Sequence, residues 1–191
     1  MIEKWHVPYF ESNMTLYEAL DMMADVKLDP KQVPLIIQLV ENPKYDVGLF
    51  AGNVDLFTHD SIHVILGRGL LTKDEAFVIG YTMGSTKKIG RWRKNLFMFC
   101  AKYLYPKGYR FGEEERFVFN VGVAAGNRCP TDLSTVDFHL IQRDNILQIR
   151  EKFGINNHLI KACYELEKQM FGGSYESERL LKGYHEKKLN Y

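Results

Sequence analysis

The sequence predicts an all-α fold, organised as a compact, multi-helix single domain. Apolar residues recur at helical spacing in most segments between the predicted turns, which favours helices that bury one face. Helix-start signals of the form Thr-x-x-Glu precede two of these segments, at Thr15 and at Thr72. A length of 191 residues suits one domain. We therefore assign residues 1–170 to a helical domain and residues 171–191 to a polar C-terminal tail.

The first two predicted helices supply the N-terminal part of the core. One begins at Thr15, where a capping box with Glu18 opens an apolar run, and it is expected to end near residues 29–30. The second covers residues 34–41, with a proline in its first turn and an Asn-Pro pair after its end. Each carries a broad apolar face, so both are predicted to be buried on one side.

The next two helices are predicted to form a hairpin. The segment Leu56–Leu66 has helical patterning, although its β-branched residues also allow a strand. Gly67 and Gly69 give the chain the freedom to end this helix. A second helix then runs from Thr72 to Tyr81, and residues 84–90 are predicted to be a loop. Such a hairpin brings the end of one helix close to the start of the other.

Four side chains of the kinds that bind metals flank this bend: His59, Asp60, His63 and Glu75. The 100° step of a helix puts the first three at roughly 0°, 100° and 40° around the axis, within one arc. Eleven residues separate His63 from Glu75, which falls in the first turn of the second helix. We expect all four side chains to converge on one divalent metal. Zinc suits a mixed imidazole and carboxylate set, and iron, manganese and cobalt also accept it.

Each of these residues also has a purely structural interpretation. Glu75 could complete a capping box with the backbone amide of Thr72 and have no metal role. A histidine on a mostly apolar helix is commonly a satisfied core or boundary residue. In a strand, His59 and His63 would share one face and Asp60 would occupy the other. The coincidence of four such residues, in a chain with six histidines, favours the metal site.

The chain concentrates its positive charge in one segment. Residues 76–112 contain eight lysines and arginines and no acidic residue, whereas the whole chain has a net charge of only +1. Within the segment, apolar residues form one helical stripe and cations lie on the opposite arc. The stripe is Trp92, Leu96, Phe99 and Tyr103, and the cations are Arg91, Lys94 and Lys102. Either the stripe packs into the core, or the helix lies on an anionic membrane surface. Nucleic-acid binding is disfavoured, because no binding motif accompanies the patch.

Three further segments complete the predicted elements. Residues 113–127 are ambiguous, because alternating Phe and Val favour a strand whereas the acidic start and paired alanines favour a helix. Residues 132–140 are predicted to be an extended connection. Asn145–Phe153 is predicted to be a helix that ends at Gly154, and His158–Met170 another helix. The predicted apolar side of that last helix is Leu159, Ala162, Cys163, Leu166 and Met170.

The cysteines and the N-terminus bear on localisation. The three cysteines are far apart and form no Cys-x-x-Cys pair, which argues against a disulfide framework and against a thiolate zinc site. The first ten residues lack the features of a secretory signal or a transit peptide. No window approaches the roughly 18 apolar residues of a membrane span. We expect a cytoplasmic protein whose membrane contact is peripheral, on the inner face of the cytoplasmic membrane.

The motif that runs from His59 to Glu75 resembles the metal motif of the coenzyme Q biosynthesis protein 4 family. Val64 after the second histidine and the glycine-containing turn agree with this resemblance. The stretch from Asp144 to Ile155 resembles the closing helix of the family. The resemblance covers Leu16 to Ile155, and it favours a helix for residues 113–127. The chain departs from the family after Ile155.

The resemblance implies a role in ubiquinone biosynthesis. The protein would bind a divalent metal and a polyprenylated aromatic lipid, with the ring near the four ligands and the tail between apolar helices. It would support decarboxylation at ring carbon one as a metal-dependent lyase, organise other quinone-biosynthesis enzymes, or do both. Two alternatives stay open. One is a non-catalytic scaffold that binds an isoprenoid lipid or partner proteins. The other is an HD-type metal phosphohydrolase built on His59 and Asp60, with His6 as the upstream histidine.

Overall fold

In the computed structural model, the chain is described at residues 5–7, 9, 13–24, 54–88, 90–105 and 110–181. These residues form eight α-helices and no β-strand, so the all-α prediction is confirmed for them. The helices are α1 (Leu16–Ala24), α2 (Leu56–Leu66), α3 (Thr72–Ser85), α4 (Arg91–Phe99), α5 (Glu113–Gly126), α6 (Ile146–Phe153), α7 (Asn157–Met170) and α8 (Tyr175–Glu178). None of the described helices is long and apolar enough to cross a membrane. The helix predicted at residues 34–41 and the predicted end at residues 29–30 lie outside the described residues.

Local signals set the ends of the first two helices. The carboxylate of Glu18 accepts a hydrogen bond from the backbone amide of Thr15, and the hydroxyl of Thr15 accepts one from the amide of Glu18. This is the capping box that the sequence predicts at the start of α1. Asp55 caps α2 by accepting from the amide of Thr58 at 2.9 Å. Gly67 ends α2 with φ at 66°, a left-handed conformation that favours glycine.

Helices α3 and α5 pack backbone against backbone. A methyl group at any of four glycines would collide with a carbonyl oxygen of the opposite helix. These are Gly80 and Gly84 on α3, and Gly122 and Gly126 on α5. Gly80 lies against Phe119 and Gly84 against Val123, so the two helices run in the same direction. The loop predicted from residue 84 is therefore wrong at its start, because this packing extends α3 to Ser85.

The segment between α5 and α6 is not extended, contrary to the prediction for residues 132–140. It forms two 3₁₀ turns, Leu133–Thr135 and Phe138–Ile141. Asp132 begins the first turn and Asp137 the second, and each side chain accepts a hydrogen bond from the backbone amide two residues later. The predicted extension is wrong because these local side-chain bonds tighten the backbone into turns.

Helix α6 follows the prediction, with Asn145 as its cap and Gly154 at its end with φ at 67°. Helix α7 is a helix as predicted, but it buries a different face. Its buried residues are Ile160, Cys163, Tyr164 and Glu167. Of the predicted apolar side only Cys163 is buried, whereas Ala162, Leu166 and Met170 are exposed. The face is selected by Tyr164 and Glu167, which both contact the buried Arg68.

The described part of the predicted polar tail packs against the helical domain. Ser177 and Leu180 are fully buried, and Arg179 is almost fully buried. The ammonium group of Lys73 on α3 donates a hydrogen bond to the hydroxyl of Ser174 at 2.8 Å. The composition from residue 174 onward predicts either a loosely held tail or a short partner-binding helix, and burial makes the loosely held alternative wrong for residues 174–181. Hydrogen bonds and burial hold this segment, although its composition is polar.

Candidate metal centre

Three of the four predicted ligand side chains meet at the bend between α2 and α3. The Nε2 atom of His59 lies 3.4 Å from Oε2 of Glu75, and Nε2 of His63 lies 3.4 Å from Oε1 of the same carboxylate. One ligand atom from each of these three residues lies within 4.8 Å of the other two. The centroids of the two imidazole rings are 4.7 Å apart. We call these three residues the histidine–glutamate cluster.

The distances in the histidine–glutamate cluster are informative. Charge-assisted hydrogen bonds between nitrogen and carboxylate oxygen are about 2.7–2.9 Å long, which is shorter than the 3.4 Å observed for both pairs. Zinc binds nitrogen and oxygen at about 2.0–2.2 Å, so two donors of a tetrahedral zinc site lie roughly 3.3–3.6 Å apart. The observed spacing therefore suits donors arranged around a common cation, and the cluster could hold a metal ion.

His63 is oriented by a backbone carbonyl. Its side chain is fully buried, and Nδ1 lies 2.6 Å from the carbonyl oxygen of Gly69. Because a carbonyl oxygen only accepts, Nδ1 carries the proton and donates it to Gly69. The lone pair of a neutral imidazole is then on Nε2, the atom that faces Glu75. A metal-ligating histidine commonly has this arrangement, with its other ring nitrogen bound to a carbonyl or carboxylate.

Glu75 faces the histidines because a different residue caps α3. The carboxylate of Asp74 accepts a hydrogen bond from the backbone amide of Leu71 at 3.0 Å. The alternative in which Glu75 forms a capping box with Thr72 is therefore wrong, and the carboxylate of Glu75 is directed to the imidazoles instead. The side chain of Glu75 is 29% exposed, whereas that of His63 is fully buried. The cluster is thus accessible from the side of Glu75.

The charges in the cluster influence one another strongly. Burial acts to raise the pKa of Glu75, but the charges of His63 and His59 outweigh it and lower that pKa to about 2. Burial likewise acts to lower the pKa of His63, yet the nearby carboxylates of Glu75, Asp60 and Asp74 raise it above its ordinary value. The surroundings of His63 are therefore rich in negative charge, which favours a cation at this position.

Asp60 is buried but is not a member of the histidine–glutamate cluster. The predicted set of four ligands is therefore reduced to three here. Asp60 is 100° around the helix from His59, and its side chain is short, whereas His59 and His63 are only about 40° apart. Asp60 acts on His63 through its charge, as one of the groups that raise the pKa of that histidine.

The basic helix exposes its aromatic stripe. Helix α4 continues into a π-helical turn at Cys100–Leu104, and the buried side of this segment is formed by Phe97, Cys100 and Ala101. The exposed side includes Trp92 at 57%, Phe99 at 54% and Tyr103 at 56%, with Leu96 partly buried. Among the predicted cations, Arg91 and Lys102 are exposed and Lys94 is partly exposed. The interpretation in which the stripe packs into the core is therefore wrong for Trp92, Phe99 and Tyr103, whereas Leu96 packs against the core.

Four charged residues that no sequence pattern indicates lie behind the bend, and we call them the buried ionic cluster. They are Arg68, Asp74, Glu167 and Arg179, and all are buried. Arg68 donates to Glu167 at 2.7 Å, and Arg179 pairs with Asp74. The partners lie 99 and 105 positions apart in the chain, so no local spacing could have indicated them.

No protein-family model, curated protein or solved structure matches this chain.

Proposed function

We propose that this protein binds a divalent metal ion through His59, His63 and Glu75. The observation that carries the proposal is the pair of 3.4 Å separations between the imidazole nitrogens and the two oxygens of Glu75. Two neutral imidazoles and one carboxylate form a donor set that suits zinc, with iron, manganese and cobalt as alternatives. Three protein donors leave coordination positions for another ligand, as is typical of catalytic rather than structural zinc sites.

From the motif resemblance, we further propose that the protein acts in quinone biosynthesis on a polyprenylated aromatic acid. The metal, when bound, supplies a positive charge that stabilises negative charge on a carboxylate or phenolate oxygen of this ligand. His63 is held by Gly69 and fixes one donor, whereas Glu75 lies at the accessible side where the ring would approach. In the proposed reaction the bond between ring carbon one and the carboxylate carbon breaks, carbon dioxide leaves, and a proton from water replaces it on the ring carbon.

We also propose that the surface of α4 binds an anionic membrane. Exposed aromatic rings and cations lie on the same helix, which is the composition of helices that rest in the headgroup region. Each lysine or arginine near an anionic surface contributes about 1 kcal/mol to binding. A peripheral position at the bilayer would give the protein access to a prenylated ligand, which partitions into the membrane.

The metal proposal is tested by replacing Glu75. Purified wild-type protein is expected to carry or take up one metal per chain, and the Glu75→Ala variant is expected to bind it at least about 100-fold more weakly, because a direct donor is lost. Elemental analysis and titration with Co²⁺ measure this difference. Glu165→Ala, which removes a partly buried glutamate of α7, is the matched control. Equal metal content in wild type and Glu75→Ala would contradict the assignment.

A labelled substrate separates an enzyme from a scaffold. A polyprenyl hydroxybenzoate with a ¹³C-labelled ring carboxyl is incubated with metal-loaded protein, and labelled carbon dioxide is measured. Release by wild type but not by Glu75→Ala supports a lyase. Binding without release supports the non-catalytic scaffold. The HD-type phosphohydrolase has less support, because it requires Asp60 as a metal ligand and leaves Glu75 without a role.

The membrane proposal is tested with vesicles. Wild-type protein is expected to sediment with vesicles that contain phosphatidylglycerol and to bind pure phosphatidylcholine vesicles much less. The double variant Trp92→Ala, Phe99→Ala is expected to bind the anionic vesicles at least about 10-fold more weakly, since two exposed rings are lost. Leu140→Ala removes an exposed apolar residue that lies elsewhere and serves as the control. If the double variant binds like wild type, α4 is not the membrane-binding surface.

A further inference from the structure

One arginine of the C-terminal segment lies against the start of α3 and against the turn that precedes it. Arg179 follows α8 and is 2% exposed. Its guanidinium forms an ion pair with Asp74 and donates a hydrogen bond to the backbone carbonyl of Trp5 at 3.1 Å. Burying an arginine costs free energy unless charged or polar groups surround it, and here these groups are Asp74 at the start of α3 and the carbonyl of Trp5.

The first contact leads to Glu75. Asp74 pairs with Arg179 through Oδ2, and the same oxygen accepts from the backbone amide of Leu71 and so begins α3. Glu75 is the next residue, and its own amide donates to the carbonyl of Leu71 at 3.0 Å. Arg179 therefore holds the residue that sets where the helix carrying Glu75 starts.

The packing of Arg179 against Gly69 connects it to His63. A side chain at Gly69 would collide with the guanidinium of Arg179 and with the carbonyl of Trp5, so the backbone at this position is pressed directly against the arginine. The carbonyl of Gly69 is the acceptor that holds Nδ1 of His63 at 2.6 Å. The position of Arg179 is thus coupled to the orientation of the imidazole as well as to the start of α3.

The segment that carries Arg179 is itself anchored to the helical domain. The hydroxyl of Ser177 donates to Glu167 at 3.0 Å, and Ser174 accepts from Lys73. Leu180 is fully buried beside them. Several separate contacts therefore hold this segment, and the hydroxyl of Ser177 bonds to neither His63 nor Gly69, so loss of this one hydrogen bond provides a matched control within the same segment.

We propose that Arg179 is a positioning residue for the metal centre, and this inference rests on the proposed metal-binding function. A guanidinium has no acceptor atom and stays protonated, so Arg179 acts through Asp74 and Gly69 and not as a ligand. It fixes Glu75 and His63 at the spacing that a metal requires before any metal binds. The C-terminal segment is therefore part of the site, although it lies far from the metal motif in sequence.

The test compares three variants in the full chain by titration with Co²⁺, followed by visible absorption. Arg179→Gln is expected to bind Co²⁺ about 10–100-fold more weakly and to change the absorption spectrum, as loss of a group that orients ligands does elsewhere. Arg179→Lys keeps the charge and is expected to recover part of the affinity. Ser177→Ala removes a buried hydrogen bond of the same segment and is expected to retain the affinity and spectrum of wild type.

A second readout does not involve metal. In metal-free protein, at a pH where the imidazole of His63 is neutral, its ¹⁵N signals are expected to report a protonated Nδ1 in wild type and in Ser177→Ala, and a mixture of tautomers in Arg179→Gln. Wild-type affinity and wild-type His63 signals in Arg179→Gln would overturn the proposal, as would an equal loss in Ser177→Ala. If wild type itself binds no Co²⁺, the proposed function fails, and the His63 signals alone decide whether Arg179 positions that side chain.

Discussion

Two groups of ionisable residues meet at the bend between α2 and α3, and they differ in the distance between their charged atoms and in their exposure to solvent. In the buried ionic cluster, Arg68 and Glu167 are 2.7 Å apart and fully removed from solvent. In the histidine–glutamate cluster, the partners are 3.4 Å apart and Glu75 is partly exposed. In the first arrangement, Arg68 and Glu167 are in direct hydrogen-bonding contact. The second leaves donors at a distance that a cation can bridge.

The two clusters share a boundary within a single turn of helix. Asp74 belongs to the ionic cluster and Glu75 to the metal centre, because consecutive positions on a helix point about 100° apart. Arg68 is held further by the rings of Phe77 and Tyr164, at 4.1 Å and 4.3 Å from its guanidinium. A rigid, paired cluster thus lies directly behind a more open one. Equally polar groups can therefore serve either stability or binding, according to whether their charged atoms are already in direct contact.

The largest expected effect comes from breaking the ionic cluster. Glu167→Ala is expected to lower the free energy of unfolding by about 3–5 kcal/mol, because it leaves the buried Arg68 without its closest carboxylate. In metal-free protein, Glu75→Ala is expected to have a much smaller effect, since its ion pairs are longer and partly exposed. Urea unfolding at neutral pH in the presence of a chelator measures both. An equal loss in the two variants would mean that Glu75 serves chiefly as a structural ion pair.

A smaller effect is expected in how the free energy of unfolding depends on pH. The raised pKa of His63 adds stability below its ordinary pKa of about 6.5, and this stability is lost as pH rises through the folded value. The lowered pKa of Glu75 adds stability above its ordinary 4.5, and this is lost as pH falls towards about 2. In metal-free protein, the difference in unfolding free energy between wild type and Glu75→Ala is therefore expected to be largest between about pH 4.5 and 6.5.

Added metal is expected to raise the free energy of unfolding of wild type at alkaline pH, where the metal-free protein loses the contribution of His63. Metal binds the neutral imidazoles, so the stability that it confers increases as the histidines lose their protons. Unfolding of wild type and Glu75→Ala at pH 5.5 and 8, each with chelator and with Co²⁺, provides the four comparisons. A wild-type profile that is the same with and without Co²⁺ would show that the cluster takes up protons but not metal.

Much of the hairpin follows from local patterns. Helix α2 has the bounds that its periodicity predicts, and Gly67 ends it because the left-handed conformation there favours glycine. The four-residue spacing of His59 and His63 puts them on one face of a helix wherever that helix packs. For residues 113–127 the local pattern left strand and helix open and the resemblance favoured a helix, and the structure has a helix over Glu113–Gly126.

Other features depend on which surfaces come together. Either Asp74 or Glu75 could have capped α3 by local chemistry, and the choice agrees with the pairing of Asp74 to Arg179. Helix α7 buries Glu167 and exposes Leu166, although leucine is the more hydrophobic residue. Leaving the buried Arg68 without a carboxylate would cost more free energy than exposing Leu166 does. The length of α3 depends on glycines whose partner helix begins more than twenty residues further along the chain.

Local sequence patterns predicted the helical class of the described chain, the hairpin of α2 and α3 and the shared helix face of His59 and His63. These features depend on periodicity and on the conformational freedom of glycine within a few residues. The direction of Glu75, the exposure of the aromatic rings of α4 and the place of Arg179 beside Gly69 became clear only from the three-dimensional fold. Those outcomes depend on contacts between distant segments. Buried charges and close-packed backbones select their partners by fit in three dimensions, which local spacing does not encode.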